Sequence, residues 1–260
     1  MLDTNMQEIL TIQKIQQTFL AKKQAGQISQ PPQILAVSKL QPLEKITQLM
    51  TEQNQILFGE NYIQEAIDKI KSFQNLQATN KINSKVNLDA KVDSKTEIQW
   101  HLIGRLQKNK IKFILGVFDL IHSIDSIELA SAFERRLADA SASHPNSYPK
   151  QKILLQVNLA QEQTKGGFTE ADLKAAIATI SNMPHLQICG FMTMPPLFDD
   201  PEQARPYFRQ LRELRDRYQS QYPACKELSM GTSSDYMVAA EEGSTIVRLG
   251  TILFGEREKH

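Results

Sequence analysis

Cysteine is scarce in this sequence, with two residues in 260, Cys189 and Cys225. They lie far apart and in no metal-ligand spacing, so two reduced, inert thiols are expected and no metal site. An excess of charge is also missing. With 30 Lys and Arg against 29 Asp and Glu, the formal charge is +1, which gives no electrostatic case for nucleic acid or an anionic membrane. No apolar run approaches the roughly 20 residues a membrane helix needs. The opening Met1-Leu2-Asp3-Thr4-Asn5-Met6 has neither a basic start nor an apolar segment, so no secretory signal is expected. A GxGxxG turn after the first strand is absent too, which removes the main sign of a dinucleotide-binding open sheet. These absences predict a soluble, cytoplasmic protein with one domain over 1–260, a length that suits an α/β barrel.

What is present is a rhythm of short apolar strands and amphipathic helices. Ile12, Ile15 and Phe19 mark an opening helix. Ile34-Leu35-Ala36-Val37-Ser38-Lys39, bounded by Pro31-Pro32 and Pro42, reads as a buried parallel strand that ends in a lysine. Further strands follow at Ile56–Gly59, Trp100–Gly104, Leu120–Ser123, Lys152–Asn158, Leu186–Phe191, about Lys226–Ser229 and Ile246–Leu249. A helix opened by Arg105–Lys110 is expected after the third. Asp125-Ser126 and the Thr169/Asp172 pair are expected as helix caps, and a long helix is expected to begin at Pro201 under an Asp200 cap. Residues 75–98 have no sustained period and read as a polar, solvent-exposed, mobile insertion. Eight strands alternating with helices predict a (β/α)8 TIM barrel with an extra N-terminal helix.

In such a barrel, ligands bind at the carboxyl ends of the strands. Lys39 sits there, where partial burial can turn an amine into a Schiff-base nucleophile; the alternative is a strand-end lysine reaching solvent or pairing with a carboxylate. Asn61 caps the next helix or reaches a ligand. His101, read as the only histidine inside an apolar strand, is a core or pocket-wall residue rather than a catalytic one. Arg105, Lys108 and Lys112 read as a solvated face. The loops after strands seven and eight carry Ser229, Gly231, Thr232 and Ser233, then Gly250 and Thr251, a composition that suits phosphate as well as ordinary turns. Arg248, inside an apolar strand, needs either a carboxylate on a neighbouring strand or an acceptor on a bound heterocycle. A lysine, a phosphate cradle and an arginine at one mouth fit pyridoxal 5′-phosphate (PLP).

The segments Ala36–Lys39, Phe58–Glu65, Trp100–Lys110, Leu228–Gly231 and Val247–Gly255 resemble the PLP homeostasis protein family, single-domain barrels of the alanine-racemase-like, fold type III PLP class. The resemblance runs from about Ile34 to Arg257. It implies that Lys39 bears PLP as an internal aldimine, that Arg248 faces the pyridine nitrogen, and that Gly250 and Thr251 bind phosphate. Ser229, Gly231 and Ser233 fall in the other phosphate-side loop, and Asn61 and His101 line the pocket. Thr232 departs from the family's frequent methionine. The implied function is a non-catalytic PLP carrier and regulator, with apo PLP-dependent enzymes as recipients and a monomeric state. The alternatives are a weak PLP-dependent racemase or decarboxylase and, further off, an aldolase-type barrel. Racemases of this class append a β domain and take an acid/base tyrosine from a partner subunit. This chain stops at His260, so two-base racemisation is expected to lack one base. Tyr62 and Tyr236 are read as helix-packing residues rather than substitutes.

Overall fold

The computed structural model describes residues 10–78, 98–145, 147–162 and 165–255. Eight parallel strands close into a barrel in chain order. They are β1 (Gln33–Val37), β2 (Leu57–Glu60), β3 (Gln99–Leu102), β4 (Leu120–Ile124), β5 (Gln151–Gln156), β6 (Leu186–Met192), β7 (Glu227–Ser229) and β8 (Ile246–Leu249). The ring closes where β8 pairs with β1, Leu35 opposite Arg248 and Ala36 opposite Leu249. The predicted barrel is therefore the observed one.

Strand residues alternate between two apolar layers, as the period of two requires. Ala36, Phe58, Trp100, Leu102, Ile121, Val247 and Leu249 face outward into the core shared with the helices. Leu35, Leu57, Leu120, Leu154, Met192 and Ile246 fill the barrel interior. Helix α1 (Ile12–Gln24) buries Ile12, Ile15 and Phe19, and Thr11 Oγ1 accepts from Lys14 N at 3.2 Å at its start. Helices α2 (Leu43–Gln53), α3 (Ile63–Ala78), α4 (Ile127–Ser143), α5 (Glu170–Ile180) and α6 (Arg205–Gln219) cover the outside, followed by the short α7 (Tyr236–Glu241) and α8 (Thr251–Phe254). Ser126 and Thr169 cap α4 and α5 with their hydroxyls, as their positions predict.

Two expected helices differ. After β3 there is a 3₁₀ segment at Lys108–Phe113 instead of a helix opening at Arg105, and only Ile111 of its six residues is buried. In the stretch read as a helix, Leu106, Ile111 and Ile114 are buried but lie five and three residues apart, which misses the i, i+4, i+7 repeat of an amphipathic α-helix. The predicted long helix from Pro201 is a 3₁₀ turn, Pro201–Ala204, under the Asp200 cap, and α6 begins only at Arg205. Pro206 lacks an N–H, so the regular hydrogen-bond ladder cannot run back through that point. Of the polar insertion, Asn75–Ala78 form the last turn of α3 and Ile98 is buried before β3. Residues 79–97 lie outside the described residues.

Candidate ligand site at the barrel mouth

All eight strands point the same way, so their carboxyl ends share one mouth. Lys39, half-buried, follows β1 in a turn closed by Gln41 N donating to Ser38 O at 3.0 Å. Leu40 in that turn has φ 58°, a left-handed conformation uncommon outside glycine. The turn is held from below by α3. Lys69 Nζ donates to Ser38 O at 2.6 Å, to Glu60 Oε1 at 2.9 Å and to Glu65 Oε1 at 2.5 Å. Glu65 Oε1 accepts from Leu40 N at 2.6 Å, and Ser38 Oγ donates to Glu60 Oε1 at 2.7 Å. Burial pushes the Glu60 carboxyl up against the pull of Lys69. No local sequence pattern signals this clamp.

The β2 and β3 loops meet closely. A Cβ on Gly104 would stand 2.0 Å from the Asn61 carbonyl oxygen, so only glycine fits there. Asn61 Oδ1 is buried and has no hydrogen-bond partner among the described residues, so the commoner expectation of a helix cap through that oxygen is not met. Tyr62, expected to pack, is 53% exposed. Tyr236 does pack, edge-on to Phe19 at 5.9 Å.

Across the mouth, Arg248 is drawn inward by strand parity, because Val247 and Leu249 face the outer core. Its guanidinium donates from Nη1 to Ser229 O and Ser229 Oγ, both at 2.7 Å, and from Nη2 to Thr193 O at 3.0 Å. Among the described residues no carboxylate pairs with it, so the ion-pair alternative is not found. Burial lowers its pKa to about 10, opposed by Asp235, and the group stays cationic at neutral pH. Such a cation, resting on carbonyls and one hydroxyl, favours an acceptor brought by a ligand.

Ser233 belongs to a second cluster. Its Oγ accepts from Gly250 N at 3.3 Å and Ile252 N at 3.4 Å, which joins the loop after β7 to the turn after β8. Gly231 has φ 93°, and a Cβ there would lie 2.6 Å from Ala239 Cβ. Thr251 is half-buried at the start of α8. Ser233, Gly250 and Thr251 therefore come together. Ser229 does not join them: it is fully buried and its hydroxyl engages Arg248 and His122 instead. Serine at a strand's last inward position is taken up by the barrel interior, not by the loop.

His101 is not the only strand histidine. His122 on β4 also faces inward, with Nε2 at 3.0 Å from His101 Nδ1 and Nδ1 at 2.9 Å from Ser229 Oγ. Burial drops His101 to about 4 and His122 well below the usual imidazole range, so both rings are neutral at pH 7. The described residues hold no group of His, Cys, Asp and Glu that could bind a metal, and no helix long and apolar enough to cross a membrane. Both cysteines are free, and burial pushes Cys225 up to about 12.

This end of the barrel thus brings together half-buried Lys39, a guanidinium with no carboxylate partner among the described residues, and a glycine- and hydroxyl-bearing pair of turns. Comparison with known proteins places this arrangement. A sequence model of the family described as alanine racemase, N-terminal domain, matches residues 20–258. A pyridoxal phosphate homeostasis protein of Aquifex aeolicus is 38% identical over 239 residues, 92% of this chain and 92% of its own. Its Escherichia coli namesake is 32% identical over 238 residues, 92% and 91% of the two chains. The solved structure of PipY from Synechococcus elongatus with PLP bound is 33% identical, with a TM-score of 0.71 over 92% of this chain and 99% of that one. A Clostridium difficile alanine racemase, at 12% identity, shares the fold with a TM-score of 0.62 over 100% of this chain and 64% of its own.

Proposed function

This chain belongs to the pyridoxal phosphate homeostasis proteins, within the alanine racemase N-terminal domain family, and from that premise we propose that it binds PLP and regulates its supply. PLP would supply an electrophilic aldehyde there, and Lys39 is the residue that would hold it. The observation that carries the reading is Arg248, a buried guanidinium with no ion-paired carboxylate among the described residues, on the strand paired with the one that delivers Lys39. It supplies N–H donors for the ring nitrogen. Ser233, Gly250 and Thr251, with the Gly231 turn, hold the phosphate through hydroxyls and backbone N–H groups. Ser229 serves that site through Arg248 rather than by touching phosphate. The unpartnered Asn61 Oδ1 and the His101 ring line the pocket.

A guanidinium only donates. Arg248 would therefore leave a ring nitrogen unprotonated. The proposal includes a monomeric, cytoplasmic protein that passes PLP to apo-enzymes. The test is incubation of the PLP-loaded protein with L- and D-amino acids, and separately with an apo PLP-dependent enzyme. Activation of the apo-enzyme without multiple-turnover racemisation or decarboxylation is expected. Sustained turnover of amino acid would make the protein an enzyme instead.

A further inference from the structure

Because arginine can only donate, its bond to Ser229 Oγ sets the direction of the protons behind it. With one lone pair taken by Nη1 at 2.7 Å, the Ser229 hydroxyl hydrogen needs its own acceptor, and His122 Nδ1 lies 2.9 Å away. His122 Nδ1 must then be bare and its proton must sit on Nε2, donating to His101 Nδ1 at 3.0 Å. His101 is thereby placed in the same Nε2–H tautomer. The two rings are buried, at 4% and 0% exposure, and neutral, so this direction is not upset at neutral pH. A hydrogen on His122 Nδ1 would aim a second donor at Ser229 Oγ and leave the hydroxyl hydrogen without an acceptor among the described residues.

We propose that His122 is a positioning residue for Arg248: by accepting the Ser229 hydroxyl hydrogen it keeps that oxygen as an acceptor for Nη1 and so fixes the plane of the guanidinium. The named bonds use three of the five N–H groups, two on Nη1 and one on Nη2. The second hydrogen on Nη2 and the Nε–H are left to meet a ligand acceptor. This rests on the reading that Arg248 meets the ring nitrogen of PLP, and it names what holds it there. The apolar alternative, in which His122 merely fills the barrel, predicts that a leucine of similar bulk would serve.

The test compares wild type, His122→Leu and His122→Asn, the last retaining an acceptor oxygen near the place of Nδ1. Leucine is expected to raise the PLP dissociation constant about tenfold, while asparagine stays within about threefold of wild type. Leucine binding PLP like wild type, or asparagine losing as much as leucine, would overturn the proposal while leaving the PLP reading intact. Wild-type protein that takes up no PLP would overturn both. A readout that needs neither PLP nor a variant is ¹⁵N NMR of the histidine rings in wild-type protein. Bare Nδ1 and protonated Nε2 on both His122 and His101 are expected, and the opposite tautomer or an imidazolium on His122 would overturn the assignment.

Discussion

Replacing Lys69 with methionine tests whether the turn carrying Lys39 is held by a buried charge pair. The Lys69 side chain is 11% exposed, Glu60 0% and Glu65 22%. Stranding one partner of a buried pair costs about 3–5 kcal/mol. Glu65 is partly wet, and Glu60 is already pushed toward its neutral form, so the lower end, about 3 kcal/mol, is expected. Glu60→Gln should cost less, about 1 kcal/mol, because glutamine keeps an acceptor oxygen for Lys69 and Ser38. If most of the Lys69 loss is the stranded Glu60 carboxylate, the double variant should be more stable than the sum of the two by about 2 kcal/mol. Urea unfolding of the four proteins at neutral pH measures this coupling. Additivity within about 0.5 kcal/mol would refute the reasoning and make Lys69 an ordinary surface residue. The Lys69→Met variant should also take up PLP more weakly, since Ser38 O loses its anchor.

Arg248→Met should leave folding stability within about 1 kcal/mol of wild type, because relief from burying a cation offsets the loss of its bonds to Ser229 and Thr193. PLP retention through dialysis should fall by about tenfold or more while attachment at Lys39 still forms; unchanged retention would show the guanidinium to be structural. A pH dependence follows from His101, held at about 4 against an ordinary 6.5. The unfolded chain takes up that proton first as pH falls. The stability from keeping the ring neutral is therefore complete above pH 6.5, declines between 6.5 and about 4, and is flat below. The full loss is about 3 kcal/mol for this ring. Unfolding midpoints from about pH 7 down to about pH 4 that show no such decline, or the same decline in His101→Asn, would contradict it.

The barrel was legible because each strand is a short apolar run closed by turn residues and each covering helix has a clean apolar stripe; Ile246–Leu249 was read to the residue. The segment after β3 misled because Arg105 to Lys110 has helix-favouring residues but no buried stripe. Lys39, Gly250, Thr251 and Arg248 were singled out from their place at strand ends, and the parallel barrel brings those ends to one side. Ser229 sits where loop composition suggests phosphate, but strand parity turns its hydroxyl inward to Arg248 and His122. The same parity would have found His122: Ile121 faces outward, so the next residue must face inward beside β3 and His101. The Lys69–Glu60–Glu65 clamp joins residues of α3 to the ends of β1 and β2, and their meeting follows from how that helix packs, which no local pattern encodes.

The most direct test of a covalent PLP site on Lys39 is to incubate the protein with PLP, reduce with borohydride and map the modified lysine by mass spectrometry, alongside absorption spectra of wild type and Lys39→Ala. The account predicts a yellow wild-type protein with the phosphopyridoxyl group on Lys39, and a Lys39→Ala variant without that band. A wild-type protein that stays colourless, or a label found on another lysine with the band intact in Lys39→Ala, would contradict it.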